Sequence, residues 1–131
     1  MGGSIFSQII RGDIPSYKVY EDDKTYAFLD INPVNPGHTL VVPKTEVDHL
    51  WDLPDDDYQA LMAATKKIAN HMRKILGCPR VGVMVEGFEV PHAHIHLLPI
   101  TMGLNHELAK PKTSQNSEAE LKAMAEQLYF A

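Results

Sequence analysis

His92-Ala93-His94-Ile95-His96-Leu97-Leu98-Pro99 alternates imidazole rings with apolar side chains. Side chains of an extended strand point to opposite faces with period two. In one strand, His92, His94 and His96 therefore share one face, while Ala93, Ile95 and Leu97 share the other. The apolar face needs a core to pack on. The histidine face would strand three titratable rings in such a core, since each loses hydration without a matching gain in packing. The stretch thus predicts a strand, Val90 to Pro99, with one structural and one chemical face.

Working outward, short strands and helices alternate with turn signals. Arg80 to Val85 predicts the preceding strand. Before it, Leu61, Ala64, Ile68, Met72 and Ile75 recur at three- and four-residue steps, predicting one long helix. Pro54 suits its opening, Asp55, Asp56 and Asp57 suit the positive end of its dipole, and Gly77 suits its close. Further back, Lys18 to Glu21 and Thr25 to Leu29 flank Asp22-Asp23-Lys24 as a hairpin, and Pro36-Gly37 turns into a strand from His38 to Pro43. Ser4 caps a short helix, Ile5 to Arg11, closed by Gly12. Ser117-Glu118-Ala119-Glu120 has the capping-box pattern and opens a last helix towards Tyr129. Met102 to Asn116 is polar and irregular, and is expected to be a mobile loop. The pattern predicts an α+β fold. Its antiparallel five-stranded sheet carries one long helix and short terminal helices.

The 131 residues suit a single domain over 1–131, with its core in about 4–100 and a C-terminal loop and helix in 101–131. With 44% apolar and 22% charged residues, the composition is that of a folded globular chain. A net charge of −5 argues against a nucleic-acid partner, yet leaves room for a small anion in a locally positive pocket. Cys78 is the single cysteine, so no internal disulfide or cysteine-rich zinc site can form, and a cytoplasmic setting is expected. No apolar run reaches the roughly 18 residues of a membrane span, and Met1-Gly2-Gly3-Ser4 is not a signal peptide. Phe6 stands where a myristoylation signal needs Ser or Thr.

Three imidazoles in a row suit a phosphate with its leaving group. A neutral ring is a good nucleophile towards phosphorus, and protonated neighbours donate to phosphate oxygens. A covalent nucleotidyl-histidine would divide one hard displacement into two easier ones. Two other readings of the same residues stand beside this one. In one the face is no more than a solvated polar surface, and in the other His-x-His presents zinc ligands for a metal-dependent hydrolase. His38, which follows the Pro36-Gly37 turn, is a further candidate if the fold brings it to the other three.

His92-Ala93-His94-Ile95-His96-Leu97-Leu98 resembles the His-φ-His-φ-His-φ-φ signature of the histidine-triad family. The likeness extends over roughly residues 5 to 100, through Ile5-Phe6, Ile9-Ile10-Arg11-Gly12, Ile14-Pro15, Tyr20-Glu21-Asp22-Asp23, Ala27 to Pro33 and Pro36 to Lys44. The resemblance implies a two-fold homodimer that binds a purine nucleotide conjugate, of phosphoramidate or dinucleoside polyphosphate type. Hydrolysis or transfer would occur at the α-phosphate, with no cofactor. It implies His94 as nucleophile, His92 and His96 as flanking groups that hold the phosphate and the nucleophile's tautomer, and His38 as a supporting group. Asp30 would accept from ribose hydroxyls, and Ile5, Phe6, Ile9, Phe28 and Ile31 would line the base pocket; core packing is the other reading of these apolar residues. A nucleotide-binding module with little catalysis is the alternative function. Gly87-Phe88-Glu89 departs from the family, where Gly-Gln-Ser or Gly-Gln-Thr is common and the glutamine can donate to an oxygen. Some relatives hold a structural zinc with an N-terminal pair of cysteines. This chain has Ser4 and Ser7 around Ile5-Phe6, so no bound metal is expected.

Overall fold

The computed structural model describes residues 3–102 and 117–131. Five strands form one antiparallel sheet in the order β1-β2-β3-β5-β4. They are β1 (Lys18–Glu21), β2 (Thr25–Leu29), β3 (Thr39–Pro43), β4 (Arg80–Met84) and β5 (Ile95–Ile100). Among the described residues the α-helices are α1 (Ile5–Arg11), α2 (Asp55–Leu76) and α3 (Glu118–Leu128). The predicted α+β class, five strands and one long helix are all present. Apart from Met102, the segment read from the sequence as a loop lies outside the described residues.

The helices cover both faces of the sheet. On one face, Leu61, Ala64, Ile68 and Met72 of α2 and Leu121, Ala125 and Leu128 of α3 pack against Ala27, Val41, Ile95 and Leu97. On the other, Phe6 and Ile9 of α1 pack against Tyr26, Phe28, Leu40 and Val42. Every residue of β2 and β3 is accordingly buried. Helix ends follow the caps read from the sequence. The Ser4 side chain accepts from the Ser7 N–H, and Gly12 and Gly77 are left-handed. Ser117 and Glu120 complete a capping box.

The strand carrying the histidines begins later than the alternation predicts, at Ile95 rather than Val90. Pro91 has no N–H to give a ladder. The His92 N–H closes a tight turn on the Val90 carbonyl, and the Ala93 N–H goes to the Val47 carbonyl outside the sheet. Pairing starts at Val41↔Ile95 on one side and Met84↔His96 on the other. The side-chain alternation nevertheless survives, because Ala93, Ile95 and Leu97 all sit in the helix-covered core.

Gly37 makes the approach of β3 to this strand possible. Its φ is +97°, and a Cβ there would lie 2.9 Å from Leu76 Cδ1 and 3.2 Å from Pro99 Cγ. Gly12, with φ +86°, has open space around it. Gly12→Ala should therefore cost only backbone strain, about 1 kcal/mol. Gly37→Ala adds a steric clash and should cost about 3 kcal/mol. Urea denaturation of the two variants checks this, and equal losses would contradict the packing account.

Candidate active site

Beyond the sheet's α1 face lies a cavity of about 690 Å³. His38, His94 and His96 line it. So do Ile5, Phe6, Ile9, Phe28, Asp30 and Ile31, the residues assigned to base and ribose by resemblance. Phe6, Ile9 and Phe28 belong to a buried cluster and also line the cavity. Ile5 and Ile31 are exposed at its edge. His92 alone among the expected residues does not line it.

The histidine protons follow from the hydrogen bonds. The Nδ1 of His94 lies 2.8 Å from the backbone carbonyl of His92. A carbonyl only accepts, so Nδ1 carries a proton, and in the neutral ring Nε2 keeps its lone pair. The ring is buried, and the edge of Phe6 meets it at 5.0 Å and 87°, which fixes its plane. The two triad rings that line the cavity, His94 and His96, have centroids 5.0 Å apart.

A second chain of bonds sets His96. The Val34 N–H donates to His38 Nδ1 at 3.1 Å, so the proton of His38 is on Nε2. That proton points to His96 Nδ1, 2.9 Å away, leaving the proton of His96 on Nε2. Asp30 stands next to the pair, with its Oδ2 3.7 Å from His38 Nε2 and its Oδ1 accepting from the Asn32 N–H. A backbone amide, two imidazoles and a carboxylate thus stand in a row beside His94.

Among the described residues, the ligand-type atoms close enough to hold a metal ion belong to Asp30, His38 and His96, not to the three triad histidines. The tautomer of His38 places a hydrogen on Nε2, where a metal would need a lone pair. The donor set therefore fits a hydrogen-bonded relay better than a metal.

His92 is fixed at both ring nitrogens. Nε2 donates to the Pro43 carbonyl at 2.8 Å, and Nδ1 faces the Ser4 hydroxyl at 2.6 Å. Sequence reading found Ser4 as a helix cap and as a replacement for a zinc cysteine, not as a partner of His92. It gave no sign of Pro43 or Val34, because their contributions are backbone groups, which leave no trace in residue type. Glu46, bound to both the Ser4 N–H and the Ser7 hydroxyl, was also missed. At the mouth of the cavity stand Glu86, Phe88 and Glu89, with Phe88 93% exposed. No lysine or arginine is among the described lining residues.

The histidine-triad (HIT) domain model matches residues 11–102, and the chain belongs to that family. It is 41% identical over 102 residues to an uncharacterized HIT-like protein of Borreliella burgdorferi, covering 72% of this chain and 73% of the relative. It is 38% identical over 96 residues to the adenosine 5'-monophosphoramidase HNT1 of Saccharomyces cerevisiae, covering 72% and 61%. A HIT-like protein crystal structure from Bartonella henselae superposes with a TM-score of 0.83 at 32% identity, covering 95% of this chain and 93% of that one.

Burial pushes the His92 imidazole below its usual value of 6.5, against weaker opposing pulls from the Pro43 carbonyl and the Glu46 charge. The unfolded chain takes up a proton near pH 6.5 that the fold resists. This contribution to stability is therefore full above that pH and is lost as pH falls below it. Thermal melting should shift down between about pH 7.5 and 5.5, and His92→Asn should flatten that slope. An unchanged slope in the variant would contradict the buried neutral ring.

Proposed function

We propose that this chain hydrolyses purine nucleoside phosphoramidates through a covalent nucleotidyl-histidine on His94. The observation that carries the reading is the His94–His92 carbonyl bond, which aims an unprotonated Nε2 into a cavity of nucleotide size. Attack forms the Nε2–phosphorus bond and breaks the bond to the leaving group, with the His96 Nε2–H as donor at the departing atom. Water then attacks phosphorus and breaks the Nε2–phosphorus bond, returning one proton to His96 Nε2, so that the nucleoside monophosphate leaves and both imidazoles are restored. Asp30 binds the ribose hydroxyls, and Phe6, Ile9, Phe28 and Ile31 hold the base. His92 acts through its backbone carbonyl.

The rim favours a single phosphate over a polyphosphate. Glu86 and Glu89 add negative charge at the mouth, and no described lining residue adds a cation to offset it. An amine leaving group suits that surround better than sulfate or a second nucleotide. The relative named as an adenosine 5'-monophosphoramidase supports the same substrate class. The exposed Phe88 favours a second reading, a nucleotide-binding module with slow turnover, because it offers no hydrogen bond where a glutamine would.

The homodimer belongs to the same proposal. Strand β4 forms one edge of the sheet, and its exposed Val83, with Val85 just beyond, offers an apolar strip for a second copy. No described helix is long and apolar enough to cross a membrane. The lone thiol of Cys78 accords with a reducing, cytoplasmic setting.

With adenosine 5'-phosphoramidate as substrate, His94→Ala should lower kcat/KM by about a thousandfold or more, with circular dichroism unchanged. Retention within tenfold would contradict the nucleophile. Glu86→Gln with Glu89→Gln should raise the rate on a dinucleoside polyphosphate, relative to the phosphoramidate, by about fivefold. An unchanged ratio would remove the rim from the account of specificity.

A further inference from the structure

Four side chains outside the cavity form one hydrogen-bonded chain behind the nucleophile. The Glu46 carboxylate accepts from the Ser4 N–H at 2.8 Å and from the Ser7 hydroxyl. These two bonds, the Ser7 bond first, hold the Glu46 carboxyl below its ordinary range, so it is ionised. Ser7 has thereby committed its hydroxyl proton. The Ser4 hydroxyl accepts from the Ser7 N–H at 3.0 Å, and its own proton points to His92 Nδ1 at 2.6 Å. His92 Nε2 donates to the Pro43 carbonyl. The Ser4 hydroxyl also lies 3.4 Å from the Ser7 hydroxyl, but His92 Nδ1 is much the nearer acceptor; with burial favouring the neutral ring, the proton of His92 is on Nε2.

That ring is fully buried, and its own backbone carbonyl holds the proton of His94. The segment has no ladder to fix it, because pairing begins only at Ile95. The side-chain anchors of His92, one at the start of α1 and one at the end of β3, therefore add to the Ala93–Val47 backbone bond in setting where that carbonyl lies. We infer that Ser4, held by Ser7 and Glu46, is a positioning residue for the nucleophile: it locks His92 in one tautomer and place, and so aims His94 through the His92 carbonyl. This rests on the reading of His94 as nucleophile. A misplacement of that group by a fraction of an ångström to 1 Å costs about ten- to a hundredfold in rate.

The test uses the full chain with Ser4→Ala, Ser4→Thr and Ser117→Ala. Ser117→Ala removes a comparable cap from α3, far from His92 in sequence and outside the site, and controls for lost helix stability. Ser4→Ala should lower kcat on adenosine 5'-phosphoramidate about tenfold or more, with KM within about twofold. Ser4→Thr, which keeps the hydroxyl, should restore kcat, and Ser117→Ala should leave it unchanged. In parallel, nitrogen-15 NMR of the imidazoles should show His92 as a single Nε2–H tautomer in the wild type and a mixture in Ser4→Ala. A kcat within twofold of wild type in Ser4→Ala overturns the inference, as does a loss confined to KM or matched by Ser117→Ala. If no substrate is turned over, the proposed function fails, while the tautomer measurement still decides the Ser4 link: an unchanged His92 signal in Ser4→Ala overturns it.

Discussion

The site depends on one hydrogen bond, from His94 Nδ1 to the carbonyl of His92 at 2.8 Å. An imidazole has two nitrogens, and only a fixed acceptor on one leaves the other as a reliable nucleophile. Because that acceptor is a backbone carbonyl, side-chain chemistry cannot replace it. The fold must put the peptide unit there. The turn at Pro91 and His92, the Ala93–Val47 bond and the two anchors of the His92 ring all serve that end.

The sheet supplies the rest of the constellation. Pairing of β3 with β5 in the register Leu40↔His96 brings the residues just before Thr39 alongside His96. His38 thus reaches His96 across 58 positions of sequence. The left-handed Gly37 permits that approach where any side chain would strike Leu76 and Pro99. Helix α1 closes the other side, with Phe6 packed against His92, His94 and Phe28. Burial of Phe6 thus stabilises the fold and fixes the plane of the His94 ring in the same contacts.

Much of this was legible in residue types. Period-two alternation identified Ala93, Ile95 and Leu97 as a core face even though the strand starts at Ile95, because side-chain direction depends on local extension, not on ladder bonds. The 3.6-residue pattern of α2 and the glycine closures were equally plain. The sequence placed all three rings at one phosphate, with His92 and His96 flanking His94. The structure separates them: His94 and His96 face the cavity, while His92 is locked behind it. Pro91 was the available signal for that break. The partners of His92 and His38 were not legible, since the Pro43 carbonyl and Val34 N–H are present at any residue and Glu46 is 46 positions from His92.

The central claim is that phosphorus becomes bonded to His94. It is tested most directly by intact-protein mass spectrometry after mixing with adenosine 5'-phosphoramidate, using wild type and His96→Gly, a change that should slow release of the intermediate. The account predicts a nucleotidyl mass increment that accumulates in the variant and maps to His94. Turnover with no adduct at any time, or an adduct mapping to another residue, would contradict it.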